Sequence, residues 1–255
     1  MNLYFELLKK PVFTMEDVLV FYGNINSCRN AVKRLVEKGM VYKIRRNMYT
    51  CRSGETGEPV ADRFQIASNI TKTSYISHHS AMEYYGVTDQ VFYEVYVSSE
   101  TEFKNFDFDG YTYRFVKPKI SSGIVSPQYS GGIHVTDKER TILDCIKDMD
   151  HISGYEEVIS NVESMQGVKE QILLKYLELY NNQFLYQKTG FLLLPMQKQF
   201  GLSNSFFDIC KEKAGKSTRY LSSDHKEGKY YPAWSLVVPD IIFHTKNGGM
   251  IDADV

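Results

Sequence analysis

Ten polar and basic side chains lie close together between residues 26 and 47, and their types suit contact with nucleic acids. Arginine and lysine donate hydrogen bonds to phosphate oxygens, and arginine and asparagine can also pair with base edges. The sequence therefore predicts a DNA-contacting surface in this stretch. The ten residues are Asn26, Ser27, Arg29, Asn30, Lys33, Arg34, Lys43, Arg45, Arg46 and Asn47.

A helix from about Ser27 to Lys38 must position the first six of these side chains. Apolar residues recur there at helical spacing, with Cys28, Ala31, Val32 and Leu35 on one side and Val36 at its margin. Such a stripe is typical of any packed helix, and the opposite face could equally be an ordinary solvated surface. The opposite face carries Asn26, Arg29, Asn30 and Lys33, flanked by Arg34 and Glu37.

A hairpin must position the remaining side chains. Gly39 ends the helix, and Met40–Ile44 and Met48–Cys51 have the alternation and β propensity of two strands. The tip between them is Arg45–Asn47. Glycine, aspartate and asparagine usually form such turns, whereas two arginines suit phosphate contacts or entry into a minor groove.

Two more helices are predicted before this stretch. Residues 2–9 form the first, which Pro11 ends, and Thr14 with Asp17 has the spacing of a capping box at the start of the second. Gly23 ends the second helix. Three helices followed by a hairpin are the order of a winged helix-turn-helix.

Charge separates this part of the chain from the rest. The first 52 residues hold ten basic and four acidic residues (+6), and the remainder holds 20 basic and 27 acidic residues (−7), so that the whole chain has a net charge of −1. A basic segment joined to an acidic body favours polyanion binding by the first segment alone. We predict a winged helix-turn-helix DNA-binding domain over residues 1–55, with Lys9 and Lys10 as further phosphate contacts.

The rest of the chain predicts a second, larger domain over residues 60–255, after a polar linker at 52–59. It alternates β-rich and helical segments, so the predicted fold class is α+β, with a mixed α/β C-terminal domain. The clearest features are a hairpin turn at Asp109–Gly110, a capping box at Thr136–Glu139, helices between residues 153 and 213, and a last strand at Ile241–Thr245.

No catalytic, metal or cofactor site is predicted. Adjacent helical residues such as His78 and His79 project about 100° apart and do not converge on one ligand. The sequence Ala214–Ser217 resembles the end of a phosphate-binding loop but lacks its first glycine, because position 210 is Cys210. Metal-dependent chemistry would depend on Asp240 or Asp252, which lack the companion residues of known sites.

The cysteines and the hydropathy pattern indicate a cytoplasmic protein. The four cysteines are too far apart in sequence for a CxxC metal site and are expected to be buried thiols. No signal peptide and no membrane-spanning segment is predicted. The cysteines are Cys28, Cys51, Cys145 and Cys210.

Three segments follow the basic winged helix: ISHHSAMEYYGV (76–87), FYEVYVSS (92–99) and VTDKERTILDCI (135–146). A Leu/Phe-rich helix near 183–200 and a β-rich end come after them. This order of segments resembles the AbiE-type antitoxins (AbiEi family) of bacterial abortive-infection loci.

This resemblance implies a bifunctional protein without an enzymatic activity. In that family the N-terminal domain binds operator repeats and represses its own operon. The C-terminal domain counters a nucleotidyltransferase-like toxin without a stable complex, which defines a type IV toxin-antitoxin system. A single small module binds DNA weakly, so we expect two copies on an inverted repeat. The alternative from another class is a one-component repressor whose acidic body senses a ligand.

Overall fold

The computed structural model describes residues 2–88, 90–152, 154–222 and 227–239. It shows a mixed α+β fold, as predicted, in two compact units. The winged-helix residues share the first unit with a later sheet, so the units do not divide at the predicted boundary near residues 55–60. The first unit comprises Met1–Ile76, Phe92–Pro118 and Ile124–Val135, and the second comprises Ser77–Val91, Lys119–Gly123 and Thr136–Val255.

The N-terminal part of the first unit has three helices and a hairpin. The predicted capping box is present, with the Thr14 backbone N–H donating to the Asp17 carboxylate at 2.8 Å. Phe13 forms an isolated antiparallel β-bridge with Tyr49 of the hairpin, through two 2.9 Å backbone hydrogen bonds. This is the element order of a winged helix-turn-helix. The elements are α1 (Leu3–Leu7), α2 (Met15–Tyr22), α3 (Ile25–Glu37), β1 (Val41–Arg45) and β2 (Met48–Cys51).

Helix α3 begins two residues earlier than predicted. The side chain of Asn24 accepts a hydrogen bond from the Ser27 backbone N–H at 2.8 Å and caps the helix. The turn after α2 is therefore short, and Gly23 occupies it with a φ of +70°. Cys28 and Val32 of α3 are buried in the same core as Phe13.

A six-stranded sheet forms the rest of the first unit, in the order β5-β6-β4-β3-β8-β7. The predicted hairpin between β5 and β6 is confirmed, and Asp109 (φ +52°) and Gly110 (φ +78°) form its turn. Helix α4 (Arg63–Ser68) precedes the sheet. The strands are β3 (Tyr75–Ile76), β4 (Glu94–Ser98), β5 (Phe106–Phe108), β6 (Tyr111–Val116), β7 (Ile124–Val125) and β8 (Val135–Thr136), whose last residue belongs to the second unit.

The second unit is mainly helical, and its helices between residues 153 and 213 confirm the prediction. Among the described residues, no helix is long and apolar enough to cross a membrane. The helices are α5 (His78–Tyr84), α6 (Lys138–Ile152), α7 (Tyr155–Ser164), α8 (Glu170–Tyr180), α9 (Gln183–Leu193), α10 (Gln197–Phe200) and α11 (Asn204–Lys213).

The predicted capping box at Thr136 is wrong by one residue. Asp137 caps α6 instead, since its side chain accepts from the Arg140 backbone N–H at 2.8 Å. Glu139, expected to complete the box, accepts from the Lys169 backbone N–H at 2.7 Å. The sequence could not distinguish Thr136 from Asp137 as the cap, because both residue types cap helices and the two residues are adjacent.

A small sheet of order β10-β11-β9 closes the described part of the second unit. A short 3₁₀ turn places Trp234 so close to Gly190 that a Cβ at Gly190 would lie 2.1 Å from the indole ring. Glycine is therefore required there by packing. The strands are β9 (Arg219–Tyr220), β10 (Lys229–Tyr231) and β11 (Leu236–Val238). The predicted strand Ile241–Thr245, with Asp240 and Asp252, lies outside the described residues.

Candidate nucleic-acid interface

Helix α3 presents a polar face to solvent. Cys28 and Val32 are fully buried on its inner side, and Ser27 is half-buried near its capped start. The only ion pair of its cations within the described residues joins Lys33 to Glu37 at 3.7 Å, and both side chains are exposed. Such a pair holds its members weakly, so they can exchange it for other partners. The exposed residues of the predicted face are Asn26, Arg29, Asn30, Lys33 and Arg34.

Lys43 and Arg46 are the exposed cations of the wing. Lys43 lies within β1, and Arg46 lies in the turn between β1 and β2. Both residues are exposed, so their side chains are accessible to an anion outside the protein. A phosphate contact of either residue remains a prediction.

Arg45, also predicted at the tip, is the last residue of β1 and is half-buried. Its guanidinium lies over the Phe106 ring, 5.1 Å from the centroid, and 5.7 Å from that of Phe103. One terminal nitrogen, Nη1, is buried without a hydrogen-bond partner. Arg45 is thus held by cation–π contacts inside the first unit.

Asn47 forms the turn of the wing and also contacts the start of α2. It adopts a φ of +58°, which asparagine tolerates better than most residues. Its Oδ1 accepts from the Met15 backbone N–H at 3.0 Å, and its Nδ2 donates to the Glu16 carboxylate at 3.0 Å. The contact with Asn47 is the largest cause that lowers the pKa of Glu16.

Lys9 and Lys10 are exposed, and each has an acidic neighbour. Lys9 pairs with Glu6 at 2.6 Å, and Lys10 pairs with Asp17. The Asp17 carboxylate also accepts the capping hydrogen bond of α2, so Lys10 is tied to that helix end. Their contact with phosphates remains a prediction.

The structure separates the ten predicted residues into two groups that spacing alone could not distinguish. Seven are exposed. Six of these have no structural role in the described contacts, and the seventh, Lys33, has only its weak ion pair with Glu37. Ser27, Arg45 and Asn47 contribute to a helix start or to packing. All ten remain predictions as DNA contacts. The seven are Asn26, Arg29, Asn30, Lys33, Arg34, Lys43 and Arg46.

A second polar cluster, in the second unit, has residue types used in nucleophilic catalysis. The Ser77 hydroxyl lies 2.8 Å from His78 Nδ1, and His78 Nε2 lies 3.1 Å from the Asp148 carboxylate. Burial alone would raise the pKa of Asp148, but the hydrogen bond with His78 and the charge of Lys147 lower it to about 2. Ser77 is fully buried and His78 is 3% exposed, so a substrate could not reach the hydroxyl. The cluster holds α5 against α6.

Arg140 and Asp144, four residues apart on α6, also form a structural pair. The two side chains are 3.3 Å apart and are 1% and 5% exposed. Arg140 also donates to the Ser122 carbonyl, and Asp144 accepts from the Tyr180 hydroxyl. Within the described residues, no three His, Cys, Asp or Glu side chains converge in a way that could hold a metal ion. All four cysteines are buried, as predicted.

Comparison with known proteins gives the fold but not a family. No family model matches this chain, and no curated protein is similar to it. Among solved structures, the chain is similar to the crystal structure of the RV2827C protein from Mycobacterium tuberculosis, with a TM-score of 0.62 and 12% sequence identity. The match covers 92% of this chain and 89% of the other. At this identity, the similarity supports the α+β fold along nearly the whole chain.

Proposed function

We propose that this protein is a DNA-binding transcriptional repressor that reads its operator with helix α3. The observation that carries the proposal is the exposed Asn, Arg and Lys face of a helix whose other face is buried. Arg29 suits a bidentate contact with guanine, and Asn26 or Asn30 suits adenine. Lys33, on the same face, can also donate to guanine, and Arg34 at its edge suits the phosphates that flank the groove.

In this proposal the wing holds the DNA backbone beside the helix. Arg46 and Lys43 are its contacts, because both side chains end in solvent. The contrast between the basic first 52 residues (+6) and the acidic remainder (−7) supports binding through the first segment. It also favours an orientation in which the acidic body faces away from the phosphates.

Two copies are expected on one operator. A single winged helix covers few base pairs, and an inverted repeat lets two copies read the same sequence. Footprinting on the region upstream of the gene tests this. Two protected half-sites about one or two helical turns apart are expected. Protection of a single half-site at saturation would contradict it.

We further propose that the protein is the antitoxin of a bacterial abortive-infection system of type IV. This part rests on the resemblance of residues 76–87, 92–99 and 135–146 to AbiE-type antitoxins. The cognate toxin would be nucleotidyltransferase-like, would be encoded next to this gene, and would be countered without a stable complex. In this proposal the protein is cytoplasmic and is not an enzyme.

A full-length variant separates the two proposed activities. Deletion of residues 1–55 would cut through the first unit, so Arg29→Ala/Lys33→Ala in the whole chain is the better tool. This variant should lose repression and still restore growth when the neighbouring toxin gene is expressed. Failure of the wild-type protein to restore growth would contradict the antitoxin role and leave the repressor proposal standing.

The alternative is a one-component repressor that senses a ligand. A specific observation favours it: the second unit contains a polar cavity of about 690 Å³. A sensor would change its operator affinity when that cavity is filled, and it would not restore growth against a toxin.

A further inference from the structure

The cavity in the second unit lies where α8 ends and α9 begins. Its wall includes Tyr180, Asn182 and Phe184 from this turn. Its volume of about 690 Å³ falls in the range of small-molecule sites, which is roughly 300–1,000 Å³. The cavity is distinct from the predicted DNA-contacting residues, which all belong to the first unit.

Three cations from three separate segments line this cavity. Lys119 comes from the segment before α6, Lys147 from α6 and Arg219 from β9. Lys147 forms an ion pair with Asp148. Within the described ranges, neither Lys119 nor Arg219 forms an ion pair with a carboxylate. Lys119 and Arg219 are exposed. A concave site lined by an excess of positive charge attracts anions from solvent, so this cluster favours an anion in the cavity.

A fourth cation lies behind the wall of the cavity. Lys188 is only 3% exposed, and its Nζ lies 4.7 Å from the centroid of the Phe184 ring. The Arg219 guanidinium lies 5.8 Å from the same centroid. Burial lowers the pKa of Lys188, while the nearby Asp150 and Asp148 act in the opposite direction. An anion in the cavity would add to the stabilisation of this buried charge.

The cations, rather than the helix start, supply the donors for a ligand. Asn182 Oδ1 already accepts from the backbone N–H groups of Phe184 (3.0 Å) and Leu185 (3.2 Å) at the start of α9. Those amides are therefore occupied. Lysine ammonium and arginine guanidinium groups are the usual side-chain partners of phosphate oxygens.

We propose that this cavity binds a small di- or triphosphate of nucleotide size, with its phosphates between Lys119, Lys147 and Arg219. Three cations less the Asp148 carboxylate that pairs with Lys147 leave an excess charge of about two, which matches a polyphosphate better than a single carboxylate. A nucleic acid is disfavoured, because the site is a concave cavity in the acidic part of the chain rather than an extended basic groove. This inference does not depend on DNA binding by the first unit.

Calorimetry on the full-length protein tests the proposal with ATP, GTP and inorganic pyrophosphate as probes. At least one probe should bind with a Kd below about 1 mM. Binding of the nucleotides alone would identify a nucleotide site, and equal binding of pyrophosphate would identify a polyphosphate site. Both outcomes support the proposal. No binding of any probe at about 5 mM would overturn it.

A pair of variants tests the location. Lys119→Ala/Arg219→Ala should weaken binding by about 100-fold, since each charge-assisted contact is worth about tenfold or more. Lys175→Ala/Lys213→Ala removes the same charge from exposed positions of the same unit and should change the Kd less than about threefold. Equal weakening in both pairs would overturn the assignment. The assignment would also be overturned if the wild type binds DNA or RNA but no polyphosphate, and if Lys119→Ala/Arg219→Ala loses that nucleic-acid binding.

Discussion

Helix α3 and the wing carry the same kinds of polar side chain, but their environments differ. On α3 the predicted reading face is exposed, and its one described ion pair, between Lys33 and Glu37, is at the surface. At the wing, Arg45 lies over two phenylalanine rings, and Asn47 is hydrogen-bonded to Met15 and Glu16. The helix therefore leaves these side chains in solvent, whereas the wing uses part of its own to hold its position.

The difference has a geometric origin. A helix that packs on one side separates its buried and exposed residues by spacing alone. A hairpin tip extends from its own strands and can meet elements that are distant in sequence. A basic residue at such a tip can therefore serve either DNA binding or packing, and substitutions can distinguish these uses.

The largest effect is expected from Arg29→Ala/Lys33→Ala on helix α3. Each side chain should contribute about 1–3 kcal/mol, so operator affinity should fall by about 30-fold or more. Fluorescence anisotropy at fixed salt measures this. Both residues are exposed, so the fold should be unaffected.

Lys72→Ala/Lys104→Ala is the matched control for this double variant. It removes the same charge from exposed positions of the first unit that are not on α3 or the wing. An equal loss of affinity in both double variants would mean that net charge, rather than the helix face, governs binding.

A smaller effect is expected from Arg46→Ala at the wing. A phosphate contact adds affinity for all sequences alike, so the loss should be about tenfold at most and the salt slope should fall by about one. Binding measured at several salt concentrations gives the slope. A slope equal to that of the wild type would remove Arg46 from the interface.

The sequence predicted the helices well because their determinants are local. The helical spacing of Cys28 and Val32 predicts the inner face of α3, and both residues are buried. The cap and end of α2 were also correct at Thr14 and Gly23, because a capping box and a terminal glycine act over a few residues. Helix α3 starts two residues before the predicted Ser27, because Asn24 caps it.

The contacts of the wing could not be predicted, because their partners are distant in the chain. Phe103 and Phe106 follow Arg45 by more than fifty positions, and Glu16 precedes Asn47 by 31. The same reason applies to the cavity of the second unit, where Lys119, Lys147 and Arg219 meet only after folding. Spacing patterns carry no information on such pairs.

Arg45→Ala should affect stability rather than DNA binding. Loss of the stacking on Phe103 and Phe106 should lower the free energy of unfolding by about 1 kcal/mol, and operator affinity should change less than about threefold. Denaturant unfolding and anisotropy measure the two quantities. Arg45→Lys is the control, because it keeps the charge and loses the planar group. A salt slope reduced as in Arg46→Ala would return Arg45 to the DNA interface.

The smallest effect is expected from Asn47→Gly, which keeps the φ of +58° accessible and removes only the amide. The pKa of Glu16 should then rise towards the ordinary value of a glutamate, because its largest lowering contact is lost. An NMR titration of Glu16 in both proteins measures this. A Glu16 pKa that is the same in both would show that the Asn47 amide does not contact the Glu16 carboxylate.

The pH dependence of stability gives the same contact a second test. A carboxylate with a lowered pKa in the folded state stabilises it above its unfolded pKa and loses that contribution as the pH falls. The stability difference between the wild type and Asn47→Gly should therefore be larger near about pH 7 than near about pH 3. A difference that is independent of pH would assign the role of Asn47 to its contact with the Met15 backbone alone. Whether through Glu16 or through the Met15 backbone, Asn47 is hydrogen-bonded to the start of α2. This contact distinguishes it from the exposed residues of α3.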